Sequence, residues 1–399
     1  MTPEEVLRSH AEREAPPVRL LADDVLAGAR RSVRRGRIRA AAAAGVVVAL
    51  VVAGVVFGSS LRRPDGGPPA VTPTQPVAPT RSAVPLTCTA AAVPAPPGLP
   101  AGQWAVYTVD PTGRYMVGGY ASASSVTGLL VWKDGVPDRP AAAIGFAPNA
   151  VNRDGTVAGA TRTAGGERRA ALFHDGAVVP LPLPPGATGS EALAVNARGD
   201  AAGYAVVGGG RVGLVWPAGG GFVEPPAGAG RRAQVAGITD DGVAAGATVA
   251  DDATVADDAT VAYRWDGDGT PLPKGAAGAV TAVGGEWAVG TAPLTRPHDP
   301  DELGPWHARW NLRTGAVEPL GLFTPLAVSA AGTVLGVPAE RASGLALWRD
   351  GAVTVLLPLN PDRPWRWRAG ITGDGTTVVA SMVEGDRHDL YDNTRWTCR

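Results

Sequence analysis

Histidines and carboxylates are the residues that could carry acid–base or metal chemistry here. The five histidines stand at 10, 174, 298, 307 and 388. His298 and His307 share the stretch RPHDPDELGPWH with Asp299, Asp301 and Glu302. Imidazole and carboxylate together could hold a divalent cation, but this spacing fits no metal motif and reads as a solvated loop. His174 precedes Asp175, where solvated polar residues are ordinary. Asp251, Asp252, Asp257 and Asp258 repeat within ATVADDATVADDATVA, a tandem hexapeptide. That order lacks the ligand positions and the turn glycine of a calcium loop, and a duplicated surface loop is the simpler account. The chain has no GxSxG elbow, no P-loop and no HExxH. It offers no pair of carboxylates that spacing alone would set across a cleft. The expectation is a protein without catalytic residues, metal or cofactor.

Charge narrows the partners. Residues 101–399 carry 24 basic and 30 acidic side chains, and the whole chain has a formal charge of -1. Such a balance gives no bulk footprint for nucleic acid. A local exception is RPWRWR, where Arg363, Arg366 and Arg368 interleave with Trp365 and Trp367. This run is either an exposed recognition loop or a strand with one face buried.

The elements that would position these residues come from a repeat. The chain has 399 residues, with 54 Gly, 37 Pro and 45% hydrophobic side chains. Seven segments share one pattern: VDPTGRYMVG, VNRDGTVAG, VNARGDAAG, ITDDGVAAG, VGGEWAVG, VSAAGTVLG and ITGDGTTVV. They begin at Val109, Val151, Val195, Ile238, Val283, Val328 and Ile371, with steps of 42 to 45 residues. A second half follows in each copy: an apolar pair, an aromatic residue and a glycine turn. The aromatics are Trp132, Phe173, Trp216, Trp265, Trp310 and Trp348, with Tyr391 or Trp396 in the irregular last copy. Asp-Gly pairs at 134–135, 175–176 and 350–351 suit tight hairpins. Each unit therefore reads as four short strands in about 43 residues, the pattern of a propeller blade. The expected fold is an all-β, seven-bladed propeller with four-stranded blades, and the recurring aromatic fills the gap between blades.

At these residues the chain resembles the HAF-repeat family of bacterial exported proteins. The likeness rests on the AVN-x-x-G-x-x-x-G element followed by A-x-L-W-x-x-G, over roughly residues 102–399. It implies an extracytoplasmic repeat domain and carries over no catalytic residue.

The only cysteines, Cys88 and Cys398, flank the repeats, and a disulfide between them would staple the first blade to the last. The LTCTA segment around Cys88 could add an outer strand to the last blade. Ahead of it, residues 40–58 run AAAAAGVVVALVVAGVVFG without a charge, close to the length that spans a bilayer core. Six arginines between 30 and 39 precede this run and two follow it, which puts the amino terminus in the cytoplasm. Val18, Leu21, Val25 and Ala29 share one helical face. Eleven prolines between 64 and 100 make an extended spacer. The expected organisation is a cytoplasmic segment at 1–38, a transmembrane helix at 39–59, a Pro-rich linker at 60–100 and the propeller at 101–399. The expected role is a non-catalytic, membrane-anchored module that binds an envelope protein, small ligand or glycan outside the cell. A regulator signalling through residues 1–38 to a cytoplasmic protein partner, similar to anti-sigma proteins, is the alternative. A glycan-active enzyme using the propeller funnel is a further one.

Overall fold

In the computed structural model the described residues are 86–122, 125–250, 260–267, 269–276, 278–292, 306–321, 323–338, 344–357, 365–384 and 391–399. The segments expected to be cytoplasmic and transmembrane lie outside them. Among the described residues no helix is long and apolar enough to cross a membrane.

The sequence patterns fold as seven antiparallel sheets around one axis. The amino-terminal strand β1 (Cys88–Ala92) is set apart from the repeats. Blade 1 follows as β2 (Trp104–Val109), β3 (Tyr115–Ser122), β4 (Ser125–Lys133) and β5 (Val136–Asp138). Blade 2 is β6 (Phe146–Val151), β7 (Val157–Arg162), β8 (Arg168–His174) and β9 (Ala177–Pro180). Blade 3 is β10 (Ala187–Val195), β11 (Ala201–Val207) and β12 (Gly210–Trp216). Blade 4 is β13 (Arg231–Ile238), β14 (Ala244–Ala250), β15 (Val261–Trp265) and β16 (Thr270–Ala276). Blade 5 is β17 (Ala279–Gly284), β18 (Trp287–Ala292), β19 (Trp306–Asn311) and β20 (Val317–Gly321). Blade 6 is β21 (Phe323–Val328), β22 (Val334–Pro338), β23 (Ala346–Arg349) and β24 (Ala352–Val355). Blade 7 is β25 (Trp365–Ile371), β26 (Thr377–Glu384) and β27 (Tyr391–Cys398), completed by β1.

Two expectations need correction. Blade 3 has three strands, and its fourth position shrinks to one bridge between Val215 and Val223. The glycines and prolines of PAGGGFVEPPAG break the outer strand there. The boundary at 101 is also late, because β1 lies within the Pro-rich stretch. It pairs antiparallel with β27, Cys88 opposite Cys398, and those two cysteines form a disulfide.

Period-two alternation sends successive residues of the second strands into different inter-blade gaps. Val157 packs between blades 1 and 2, and Ala158 between blades 2 and 3. Seven apolar clusters occupy the seven gaps, and each holds the third-strand aromatic of one blade against the preceding blade. Trp132, Phe173, Trp216, Trp265, Trp310 and Trp348 take these places, and Trp396 takes the seventh. Three of the indoles also tie down a chain crossover. Trp132, Trp216 and Trp265 donate Nε1–H to the carbonyls of Pro94, Pro182 and Pro226 at 2.7, 2.7 and 2.8 Å.

The motif's second glycine has a cause in the sheet. In six blades the innermost strand carries a β-bulge, for example between Val106 and Thr108 and between Val235 and Gly237. The bulge drives a carbonyl toward the second strand. A Cβ on Gly118, Gly203 or Gly246 would lie about 2 Å from the oxygen of Ala105, Glu191 or Gln234. Blade 7 has no bulge in that pairing and carries Ala380 at the equivalent place.

Candidate functional site

The seven inner strands run the same way round the axis. Their carboxyl ends and the turns that follow make one face, called here the turn face. The crossovers between blades and the connections from second to third strands make the other, the crossover face. The described part of RPWRWR belongs to the latter. From Trp365 it is the start of strand β25 rather than a loop, as its Trp/Arg alternation allows, while Arg363 lies outside the described residues. Arg368 is exposed and its guanidinium stands 5.3 Å from the centroid of the Tyr107 ring.

At the turn face the residue after six of the seven inner strands is polar and buried: Asp110, Asn152, Asn196, Thr239, Ser329 and Thr372. Each caps its own turn. Asn152 Oδ1 accepts the amides of Asp154 and Thr156, and Ser329 and Thr372 hydroxyls accept those of Thr333 and Thr377. The asparagines do a second job that sequence reading missed. Asn152 donates Nδ2–H to the Asn196 carbonyl at 2.8 Å, and Asn196 to the Thr239 carbonyl at 3.0 Å, so each staples its turn to the next blade. The Val-Asn pair one repeat apart was the available signal. Asp200 supports the same turn. Burial raises its carboxyl, but hydrogen bonds from the Ala218 amide, Asn196 and Arg198 together hold it below the ordinary value.

Blade 5 breaks the ring. Its turn, VGGEWAVG, is one residue shorter and puts Gly284 where the others have a cap. Gly284 and Gly285 crowd blade 6: a Cβ on either would meet the Val328 carbonyl at 1.8 Å or Ala330 at 2.5 Å. On the opposite side a notch opens toward blade 4. A cavity of about 290 Å³ lies on the axis, and a hollow of about 500 Å³ lies between blades 4 and 5. They share Thr239, Asp240 and Gly285. Asp241, Arg264, Asp266, Glu286 and Arg313 complete the polar wall of the hollow. Arg313 holds Glu286 at 2.7 Å, Asn311 bonds the same carboxylate, and Arg264 reaches the Leu312 carbonyl. This is a polar, asymmetric recess of the size that small ligands or a peptide loop occupy.

The stretch read as a solvated loop is only partly described. His307 is a buried residue of β19, not part of a loop, and His298 lies outside the described residues. His174 ends β8 at a tight turn, bonded to Thr156 and beside Asp175. Among the described residues no three His, Cys, Asp or Glu side chains converge as a metal site.

At the crossover face a buried carboxylate organises its neighbours. Glu191 of β10 accepts hydrogen bonds from Asn149 Nδ2 at 3.0 Å, Arg168 Nη1 at 3.1 Å and Tyr204 Oη at 2.8 Å. Burial, then the hydrogen bond to and charge of Glu191, push the Tyr204 hydroxyl above its ordinary value. Arg211 lies over the Tyr204 ring, 4.3 Å from its centroid.

No protein-family model matches the chain, and no curated protein matches it. Solved structures share its fold. Oligogalacturonate lyase from Vibrio parahaemolyticus is 8% identical over 79% of this chain and 97% of that one, with a TM-score of 0.51. The β-propeller domain of the Trilobed protease from Pyrococcus furiosus is 10% identical over 75% and 94%, with a TM-score of 0.49. TolB from Acinetobacter baumannii is 11% identical over 72% and 81%, with a TM-score of 0.36. The chain is thus a seven-bladed propeller, similar in fold to the oligogalacturonate lyase structure.

Proposed function

We propose that this protein is a non-catalytic binding module held outside the cell membrane by the apolar segment at 40–58. The observation that carries the reading is the Cys88–Cys398 disulfide at the junction of the ring. Disulfides persist in oxidising compartments, and the arginine bias around 40–58 directs the repeats to that side. The polar residues that recur around the axis are spent on caps and staples, which favours binding over turnover. The notch between blades 4 and 5 is the recess that distinguishes one blade pair from the rest, and a loop of an envelope protein or a short glycan suits its polar wall.

Two measurements test this. Full-length chain in oriented membrane vesicles is treated with protease from each side, with thiols labelled before and after reduction. The propeller is expected to be cut only from the extracytoplasmic side, and the cysteines to label only after reduction. A propeller cut from the cytoplasmic side would refute the placement. For binding, cross-linked material from intact cells is compared between wild type and Asp266→Trp, which fills the notch. Loss of a captured species is expected, and equal capture would rule out the notch.

A further inference from the structure

We propose that the crossover face of blades 2 and 3 binds an acidic polysaccharide, gripping its carboxylates with Arg168 and Arg211 on the buried Glu191–Tyr204 anchor. The inference deepens the binding role above and takes its choice of polymer from the extracytoplasmic placement proposed there.

The anchor is a built one. Glu191 is only 7% exposed and ties together side chains from two blades: Asn149 and Arg168 of blade 2, and Tyr204 of blade 3. Arg211 stacks on the same tyrosine. A guanidinium held by its face keeps its edge N–H groups free to form the paired bonds that carboxylates accept. Arg168 spends one edge N–H on Glu191 and Arg211 is held by its face, so guanidiniums from two blades are positioned around one buried carboxylate.

The charge around the anchor points the same way. Arg162 and Arg168 stand directly opposite each other on β7 and β8. Like charges in that relation repel, and a bound anion would offset the repulsion. Arg162 bonds only a neutral carbonyl, that of Gly166, among the contacts described for it. Arg169 follows in the same strand, paired with Glu167 at 3.0 Å. This sector thus holds four arginines against two glutamates, in a domain whose overall balance is acidic. The row continues to blade 4, where the Arg232 guanidinium lies against Gly210. Cations spread over successive blades suit a polymer with repeating charges better than a single small anion.

The test uses the full-length protein in detergent, with polygalacturonate as probe, dextran as the neutral control and single-stranded DNA as the other polyanion. Salt-sensitive binding to polygalacturonate and none to dextran is expected. Arg211→Glu and Arg168→Glu should each weaken binding by about tenfold or more, while Arg349→Glu on the turn face should leave it unchanged. Arg162→Glu is the sharpest variant: it should raise thermal stability by relieving the cross-strand repulsion and still weaken binding. A purely structural role for this cluster would not move the two readouts in opposite directions. Absence of polygalacturonate binding, or binding indifferent to these arginines, would overturn the proposal. DNA bound as tightly through the same arginines would replace it with a nucleic-acid site. The vesicle experiment reads the placement separately, so failure of one is distinguishable from failure of the other.

Discussion

Asn196 shows how much a single side chain can hold in this ring. Its Oδ1 accepts two amides of its own turn, and its Nδ2 reaches Asp200 and the Thr239 carbonyl of the next blade. Asn196→Ala leaves those buried groups without partners and should lower stability by about 1–3 kcal/mol, measured by chemical unfolding. A loss no larger than that of an exposed turn substitution would show that water replaces the staple. His307 makes a prediction about pH. Burial pushes its imidazole below the ordinary value of 6.5, the hydrogen bond to the Gly321 backbone opposing it. The unfolded chain therefore takes up a proton that the folded one resists. Stability from this residue is complete above the ordinary value and declines as pH falls below it. The thermal midpoint of wild type should fall from about pH 7 to about pH 5 more steeply than that of His307→Gln. Parallel slopes would assign the acid sensitivity to another group.

Strands explain the motif glycines that residue types alone do not. The bulge on six inner strands fills the space where a Cβ would stand, so Gly246→Ala must displace either the Gln234 carbonyl or its own strand. Overpacking of this kind costs about 1–3 kcal/mol. The matched change in the unbulged blade, Ala380→Gly, removes no clash and should cost only about 0.5–1 kcal/mol. Equal losses in the two would mean that the bulge is not the reason for the glycine. The same level shows what the sequence makes legible. Spacing, turn glycines and the recurring aromatic report the blade, because each repeats every 42 to 45 residues. The Glu191 anchor does not repeat. Its partners lie 42, 23 and 13 residues away, and only the winding of the ring brings them together. The notch was hidden too, since a shortened turn reads as degeneracy until Gly284 and Gly285 are seen packed against blade 6.

Across the whole molecule, charge and covalent closure matter most. The net balance of the repeats gives no sign of the arginines gathered at the crossover face of blades 2 and 3, because the two faces alternate at every strand end and average out along the chain. Closure rests on β1, β27 and one disulfide spanning 310 residues. In the chain-entropy view a loop that long contributes at most about 5.7 kcal/mol. Cys88→Ser should therefore lower the thermal midpoint clearly, and reductant should lower that of wild type but not of the variant. A variant as stable as the oxidised wild type would leave closure to strand pairing alone.

Because the strand that closes the ring is made before any blade and its partner is the final strand of blade 7, closure waits until all seven inner strands have been made. A chain cut short before Cys398 leaves six blades able to stack, one outer strand without its mate and an unpaired cysteine at 88.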